Sequence, residues 1–248
     1  MIPIGDDNSD RLRAPIVNWL LIGVNVFVFV VFQGMGTNQR FTMAFATIPA
    51  EILSGHDIEQ TIPIRDEYGR VVDSMEIGHT PISVYLTLIT AMFMHGGFAH
   101  LAGNMLYLWI FGDNLESILG HLRYLIFYLL TGVLAGLTHV FVTAFLGRNP
   151  MIPTLGASGA IAGVLGGYIV LFPHRRVRVI WLYQVLQVPA LLVIGVWFLF
   201  QILSGAGSPA GEAGGIAYSA HIGGFLTGAV LIKFFAINPP APAYGRVA

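Results

Sequence analysis

The stretch Thr154-Leu155-Gly156-Ala157-Ser158-Gly159-Ala160-Ile161-Ala162-Gly163 opens an apolar run and places one serine among glycines. Pro153 precedes it, and no polar side chain follows until Tyr168. This pattern predicts that Ser158 lies in the first turn of a helix, where unpaired N–H groups and the helix dipole favour developing negative charge. The glycines allow another backbone to approach closely. The alternative is a small-residue helix seam with an incidental serine, because such seams are common in membrane helices.

The composition is that of an integral membrane protein. Of the 248 residues, 55% are hydrophobic and 10% are charged, and the mean hydropathy is +0.73. Soluble domains carry about 25% charged residues. The net charge of −1 gives no reason to expect nucleic acid as a partner. Cysteine is absent, which excludes disulfides, thiolate metal sites and a cysteine nucleophile.

Apolar runs long enough to cross about 30 Å of hydrocarbon predict a single all-α, polytopic membrane domain, residues 1–248. A long external loop, 35–97, follows the first run, and its segment Asp66-Glu67-Tyr68-Gly69-Arg70 is typical of the tip of a hairpin. His95-Gly96-Gly97 divides the next apolar run, so we interpret 82–94 as an interfacial or re-entrant piece. The six predicted spans are about 15–33, 98–113, 121–145, 156–172, 179–203 and 215–235.

The placement of lysine and arginine predicts cytoplasmic N- and C-termini. The basic segment His174-Arg175-Arg176-Val177-Arg178 after the fourth span decides this orientation. In this orientation the second, fourth and sixth spans start at the outer side of the membrane. Several polar side chains near their starts therefore lie at one depth in the outer half, and we expect them to line a cavity open to the outside. These five residues are Ser158, His221, His95, His100 and Asn104.

His221 is the candidate general base. An ionisable side chain within a span is costly unless it has a partner or a cavity, and an adjacent imidazole activates a serine hydroxyl by taking its proton. No carboxylate lies within a predicted span, apart from Asp113 and Glu116 at the inner end of one of them. A catalytic triad would therefore lack its acidic member, and we predict a Ser158–His221 dyad. The alternative is a neutral histidine bonded to a backbone carbonyl.

Glycine spacing predicts that the helices of Ser158 and His221 touch. One seam recurs every four residues on the fourth span and a second on the sixth. These seams are Gly159, Gly163 and Gly167, and Gly224 and Gly228.

His100 and Asn104 are four residues apart and share one helix face. Their N–H groups, with the backbone N–H of Ser158, are expected to form an oxyanion hole. We place Gly156 and His95 with these oxyanion- or substrate-stabilising residues, although His95 has the alternative role of holding the long loop onto the span. An interhelical polar clamp is the alternative for His100 and Asn104.

Zinc is a competing use of His95, His100 and His221. No Asp or Glu is available at their depth and no His-Glu-x-x-His motif occurs, so we expect no metal. His139 is expected to be a structural histidine with a partner. The tryptophans expected to face lipid or the interface are Trp109, Trp181 and Trp197.

Together these residues resemble the rhomboid family of intramembrane serine proteases. The resemblance covers about residues 80–230 and rests on Gly156-Ala157-Ser158-Gly159, on His95-x4-His100-x3-Asn104, and on His221 before Gly223-Gly224. It implies a six-helix rhomboid-like bundle with a long first external loop. It also implies Ser158 as nucleophile, His221 as base, and His100 and Asn104 as oxyanion donors, with no cofactor. Transmembrane proteins would be the substrates, within the lipid bilayer; the oligomeric state stays open.

One departure concerns the residue four positions after the serine. Many rhomboids carry there an aromatic side chain stacked on the histidine, whereas this chain has Ala162, so other neighbours must orient the imidazole. The glycine-rich segment 206–215 is expected to cap the site, and the fifth span to act as a lateral gate.

Two other functions stay open. One is a catalytically inactive relative that binds membrane clients, and the other is a small-solute transporter, which would need polar residues continuing towards the inner side. The lack of extra domains is taken to favour a prokaryotic plasma membrane.

Overall fold

Helices make up most of the chain, as its apolar runs require, because a backbone surrounded by lipid must satisfy its own hydrogen bonds. The computed structural model describes residues 1–65, 68–207 and 217–237. Its helices are α1 (Ile16–Phe27, continued with π-helical pitch over Val28–Phe32), α2 (Gln39–Phe45), α3 (Pro49–Ser54), α4 (Thr87–Thr90), α5 (Phe98–Leu119), α6 (His121–Phe145), α7 (Ser158–Leu171), α8 (Ala190–Gly207) and α9 (Tyr218–Phe235).

Within the described residues, α6 and α9 are the two helices long and apolar enough to cross a membrane by themselves. A bent pair, Val84–Phe93 and Phe98–Leu119, meets at 81° and gives a third span if it is counted as one. The bend lies at the predicted break, His95-Gly96-Gly97, and α5 runs on to Leu119, beyond the predicted end at 113. Shorter apolar helices cover Ile16–Phe32, Ser158–Leu171 and Ala190–Gly205.

Helix α7 lies at the centre of the bundle, packed against α5, α6 and α9. Its residues from Ala160 to Tyr168 are all buried. Because most of them are small, neighbouring backbones come close and dispersion contacts accumulate along the helix. Larger side chains fill the surrounding core, among them Phe111, Leu115, Tyr124, Phe127 and Tyr128.

The segment 35–97 is built from short elements. It contains α2, α3 and α4 and an antiparallel pair, β2 (Gln60–Arg65) and β3 (Val71–Ile77). The predicted hairpin is therefore confirmed, while Asp66 and Glu67 of its tip lie outside the described residues. Buried Glu51 of α3 accepts a hydrogen bond from the Ile58 N–H at 3.1 Å, and burial raises the pKa of this carboxyl.

The predicted fifth span, 179–203, is wrong in its first part. The strands β4 (Arg176–Trp181) and β5 (Gln184–Pro189) form an antiparallel hairpin, and α8 begins only at Ala190. The alternating side chains of β4 explain this, because valines 177 and 179 are buried while the arginines beside them point outward. The predicted cap, 206–215, reaches the end of α8, and its residues 208–215 lie outside the described part of the chain.

A third strand, β1 (Ile2–Asp6), pairs antiparallel with β4 and completes a sheet of order β1-β4-β5. Asp6 at its end is buried and accepts hydrogen bonds from the Tyr168 hydroxyl at 2.5 Å and the Asn114 amide at 2.7 Å. Burial raises the pKa of Asp6 to about 7. The N-terminal strand thus ties the ends of α5 and α7 to the hairpin.

Glu116, near the end of α5, is a fully buried carboxylate that caps α1. It accepts hydrogen bonds from the backbone N–H groups of Val17, at 2.9 Å, and Asn18, at 2.7 Å. These N–H groups belong to the first turn of α1 and have no acceptor within that helix. The carboxylate that the sequence places at the end of a span therefore joins α1 to α5.

Candidate active site

Ser158 is the first residue of α7, and the loop before it is held in place by backbone hydrogen bonds. Thr154 and Thr47 exchange N–H to carbonyl bonds of 2.8 and 3.0 Å, and the Gly156 N–H donates to the Ala91 carbonyl at 2.8 Å. Gly156 has a φ of +127°, which L side chains rarely adopt. The loop therefore fixes the start of α7, where the Ser158 N–H is among those without an intrahelical acceptor.

His221 lies near the start of α9 and contacts Ser158 directly. The distance from its Nε2 to Ser158 Oγ is 2.8 Å, which is a normal hydrogen bond. His221 is buried, with 9% of its surface exposed. The two polar side chains that the sequence places on different spans therefore meet.

Close backbone contact between α7 and α9 makes this pairing possible. A Cβ atom on Gly224 would lie 2.2 Å from the Gly159 carbonyl oxygen, and one on Gly228 would lie 2.0 Å from that of Gly163. The predicted seam on α9 thus contacts α7. The glycine seam on α7 contacts two helices. At Gly163 the hydrogen side of the Cα packs against Thr131 of α6, while the carbonyl oxygen faces α9.

His100 and Asn104 lie on the face of α5 that borders the same cavity. A Cβ on Gly156 would be 2.9 Å from the His100 ring, so the ring lies against the loop before Ser158. The Asn104 Nδ2 group is buried and has no hydrogen-bond partner among the described residues. An amide donor without a partner thus belongs to a residue that lines the same cavity as Ser158.

His95 lies behind His100, outside the cavity. Its fully buried ring makes an edge contact with the His100 ring, with 5.1 Å between the ring centroids. Its backbone is held by the Gln33 amide, which accepts from the His95 N–H at 2.9 Å and donates to the His95 carbonyl at 3.0 Å. Both ring nitrogens of His95 are buried and have no hydrogen-bond partner among the described residues, so the loop is held here through the backbone of His95 and not through its side chain.

The cavity has a volume of about 750 Å³. Ser158, His221, His100 and Asn104 all line it. Trp197 of α8, expected to face lipid or the interface, also lines the cavity and is half-buried. By contrast, Trp109 and Trp181 are exposed on the surface of the protein, at 57% and 48%.

Sequence reasoning missed a contact from α8 to the second ring nitrogen of His221. Gln201 Oε1 lies 2.8 Å from His221 Nδ1, and only 5% of Gln201 is exposed. An isolated glutamine in an apolar helix was the available signal, because a buried amide needs a partner. The Trp197 ring lies against the same imidazole, with 6.0 Å between centroids.

His139, expected to have a structural partner, has its Nδ1 2.9 Å from Ser219 Oγ. Within the described residues, the three potential metal ligands that could share an ion are Asp57, Glu59 and His79, all exposed and away from the cavity. An exposed group of this kind is common without a metal.

Comparison with known proteins places these features in a family. The family model "Rhomboid domain" matches residues 83–238. Rhomboid protein 1, mitochondrial, of Saccharomyces cerevisiae is 36% identical over 146 residues, which are 58% of this chain and 40% of that protein. Rhomboid-like protein 11, chloroplastic, of Arabidopsis thaliana is 29% identical over 181 residues, 69% and 60% of the two chains.

A third relative, Rhomboid protease GluP of Bacillus subtilis, is 30% identical over 164 residues, 64% of this chain and 27% of the relative. This chain therefore matches less than two thirds of the length of each of these curated relatives.

Proposed function

This chain belongs to the rhomboid family, and on that premise we propose that it is a serine endopeptidase that cleaves other membrane proteins within or next to a transmembrane segment. The observation that carries the proposal is the 2.8 Å contact between Ser158 Oγ and His221 Nε2 at the wall of a cavity. A serine hydroxyl becomes a useful nucleophile when a neighbouring base takes its proton.

In the proposed first step, His221 Nε2 accepts the Ser158 proton while Oγ bonds to the scissile carbonyl carbon. The resulting imidazolium gives this proton to the leaving amine nitrogen as the C–N bond breaks. Water then replaces the amine: His221 accepts a proton from water while the water oxygen bonds to the acyl carbon. The bond between the acyl carbon and Ser158 Oγ then breaks, and His221 returns the proton to Oγ. Every proton transfer uses this chain's own groups, and the scheme needs no cofactor.

The tetrahedral intermediate carries its negative charge on the former carbonyl oxygen. We assign its stabilisation to the Ser158 N–H, the Asn104 amide and the His100 ring. The uncommitted Nδ2 of Asn104 supports this assignment, because a donor without a ground-state partner is free for an oxyanion. Gly156 contributes by leaving room for the His100 ring.

Six membrane spans are part of the proposal, formed by α1 with its π-helical continuation and by α5 to α9 within one membrane domain. The 14 residues of α7 rise only about 21 Å, less than the roughly 30 Å of hydrocarbon. A helix this short fits a site in which the cavity fills the part of the membrane thickness that α7 does not cross. The arginines that follow α7 support an orientation with both termini on the cytoplasmic side and the cavity on the other side.

The protein is a membrane protein, and its substrates are proposed to be transmembrane proteins in the same bilayer. The names of the relatives place some in mitochondria and one in a chloroplast, while another comes from a bacterium. This range gives no support to a prokaryotic plasma membrane over an organellar one, so that expectation is not part of the proposal.

The test is cleavage of a single-span protein by purified enzyme in lipid vesicles. Ser158→Ala is expected to abolish product. Ser219→Ala is the matched control, because its hydroxyl bonds His139 instead of His221, and it should retain cleavage. Equal product from wild type and Ser158→Ala would overturn the proposal.

The two other candidate functions give different outcomes in the same vesicles. An inactive client-binding protein would capture the single-span protein without cutting it. A transporter would release a trapped small solute in the absence of any protein substrate. Either result without Ser158-dependent product would refute the protease assignment.

A further inference from the structure

We propose that Gln201 of α8 positions His221 for proton transfer, so that a third helix completes the Ser158–His221 pair. The inference rests on the proposed function. Neither α7, which carries Ser158, nor α9, which carries His221, supplies a partner for the far nitrogen of the imidazole among the contacts described above. The partner comes from α8 and is an amide.

The contacts of the imidazole fix the direction of its two nitrogens. Nε2 lies 2.8 Å from Ser158 Oγ, and Nδ1 lies 2.8 Å from Gln201 Oε1. To accept the serine proton, Nε2 must be unprotonated, and the ring proton must then be on Nδ1. A carbonyl oxygen facing Nδ1 favours this tautomer, because it accepts the Nδ1–H bond.

The same oxygen serves both protonation states of the ring. Nδ1 carries a proton in the required neutral tautomer and in the imidazolium, so the hydrogen bond to Gln201 persists while His221 holds the serine proton. With 5% exposure, Gln201 is in a site where an ionised carboxylate would carry a large desolvation penalty. A neutral amide supplies the acceptor without this penalty.

Trp197, four residues before Gln201 on α8, contacts the imidazole as well. The two rings are tilted by 33°, with centroids 6.0 Å apart. Ala162 of α7, one turn after Ser158, presents only a methyl group and is fully buried. The aromatic contacts of the imidazole thus come from Trp197 of α8 and from Tyr218 of α9, whose ring stands edge-on with 6.5 Å between centroids, and not from α7.

Helix α8 is held beside α9 by a further aromatic pair. The rings of Phe198 and Phe225 are stacked, with 4.0 Å between centroids. Phe225 lies four residues after His221, on the same face of α9. This pair keeps α8 at the distance that the Gln201–His221 bond requires.

The experiment compares Gln201→Leu with Gln201→Glu in lipid vesicles, using two readouts. The first is the rate at which a small serine-reactive fluorophosphonate labels Ser158, which reports nucleophilicity without a helical substrate. The second is kcat and KM for a single-span substrate. Leucine cannot accept the Nδ1–H bond, whereas glutamate retains an acceptor oxygen.

We expect Gln201→Leu to lower the labelling rate and kcat roughly 10- to 100-fold, with KM within about twofold. The labelling rate and kcat of Gln201→Glu should be at least fivefold higher than those of Gln201→Leu. Thr143→Val, which removes a buried hydroxyl of α6 away from the cavity, is the control for loss of a buried polar group. Thermal unfolding of each variant is measured beside the kinetics.

A wild-type labelling rate in Gln201→Leu would overturn the inference. So would equal losses in the leucine and glutamate variants, because the acceptor oxygen would then not be the feature that matters. Neither result would affect the Ser158→Ala comparison. Labelling and product that do not depend on Ser158 would instead refute the proposed function, and the inference with it.

Discussion

Gly228 of α9 faces the carbonyl oxygen of Gly163 on α7 so closely that a Cβ atom would lie 2.0 Å from that oxygen. Gly224, one turn nearer the cavity, stands in the same relation to Gly159, at 2.2 Å. Real Cβ atoms do not come this close to backbone oxygens. The distance between the two helices, and with it the contact of His221 with its serine, depends on these missing side chains.

Gly228→Ala is expected to force α7 and α9 apart. Overpacking costs typically about 1–3 kcal/mol of stability, and the shift should lower cleavage at least tenfold. Gly195→Ala on α8 is the control, since a Cβ there meets nothing within 4 Å; it should leave the unfolding temperature unchanged or slightly higher. A Gly228→Ala protein with wild-type unfolding temperature and cleavage would contradict this explanation of the helix spacing.

Asn104→Ala is expected to lower kcat with little change in KM, because an oxyanion donor acts in the transition state. Loss of one such donor typically costs about 10²–10³ in kcat. Steady-state kinetics with a single-span substrate measures both constants. Asn25→Ala removes a buried amide that donates to the Leu21 carbonyl within α1, and it should lower stability without a selective loss of kcat. A change confined to KM in Asn104→Ala would indicate substrate binding instead.

Gly156→Ala is expected to impair catalysis through His100. The added methyl group would lie 2.9 Å from the His100 ring. The backbone φ of Gly156, +127°, is also strained for any L residue. Gly147→Ala separates these effects, because φ is +62° there and nothing lies within 4 Å. We expect some loss of stability in both variants and an activity loss greater than tenfold in Gly156→Ala alone. Similar cleavage activities in Gly156→Ala and Gly147→Ala would show that backbone strain, and not contact with His100, is the only effect of the added methyl group.

The stability of the protein is expected to fall as pH rises from about 4 to 7, in part through Asp6. Burial raises the pKa of Asp6 from 3.8 to about 7, with Asp113 acting in the same direction and Arg175 opposing it. A carboxyl whose pKa is raised by folding favours the folded state most below its unfolded pKa. This contribution is lost as pH rises through the folded pKa.

Asp6→Asn should therefore flatten the pH dependence of thermal unfolding between about pH 4 and 7 and raise the unfolding temperature at pH 8 relative to wild type. Asp73→Asn, at an exposed position on β3, controls for the loss of one negative charge. Parallel wild-type and Asp6→Asn curves across this range would show that Asp6 is not the titrating group.

The positions of Ser158 and His221 could be predicted because each is a polar residue in a largely apolar helix that carries glycines spaced four apart. Such a residue needs a partner, and the glycines allow one to come close. Gln201 is likewise a polar residue in a largely apolar helix, but α8 has no glycines spaced four apart to indicate which face meets another helix. Its partner is visible only once α8 and α9 are packed together.

The β4–β5 hairpin shows a different limit. The alternation of arginine and valine over Arg176-Val177-Arg178-Val179 was a local signal for a strand. The turn gave no such signal, because Leu182 and Tyr183 have φ of +44° and +70°, values usually supplied by glycine or asparagine. The partner strand β1 lies more than 150 residues away in sequence and could not be inferred from local pattern.

The sheet has a consequence for how α8 can move. Its first residue, Ala190, follows β5 directly and donates a backbone hydrogen bond to the Arg175 carbonyl at 2.8 Å, so this end is a fixed pivot. Gln201 is eleven residues further along, a lever arm of about 16 Å. Swinging the helix by about 10° would carry the amide roughly 3 Å, more than any hydrogen bond tolerates. A rigid tilt of α8 that widens the cavity on this side would thus break the Gln201–His221 bond, and the return of the helix would form it again.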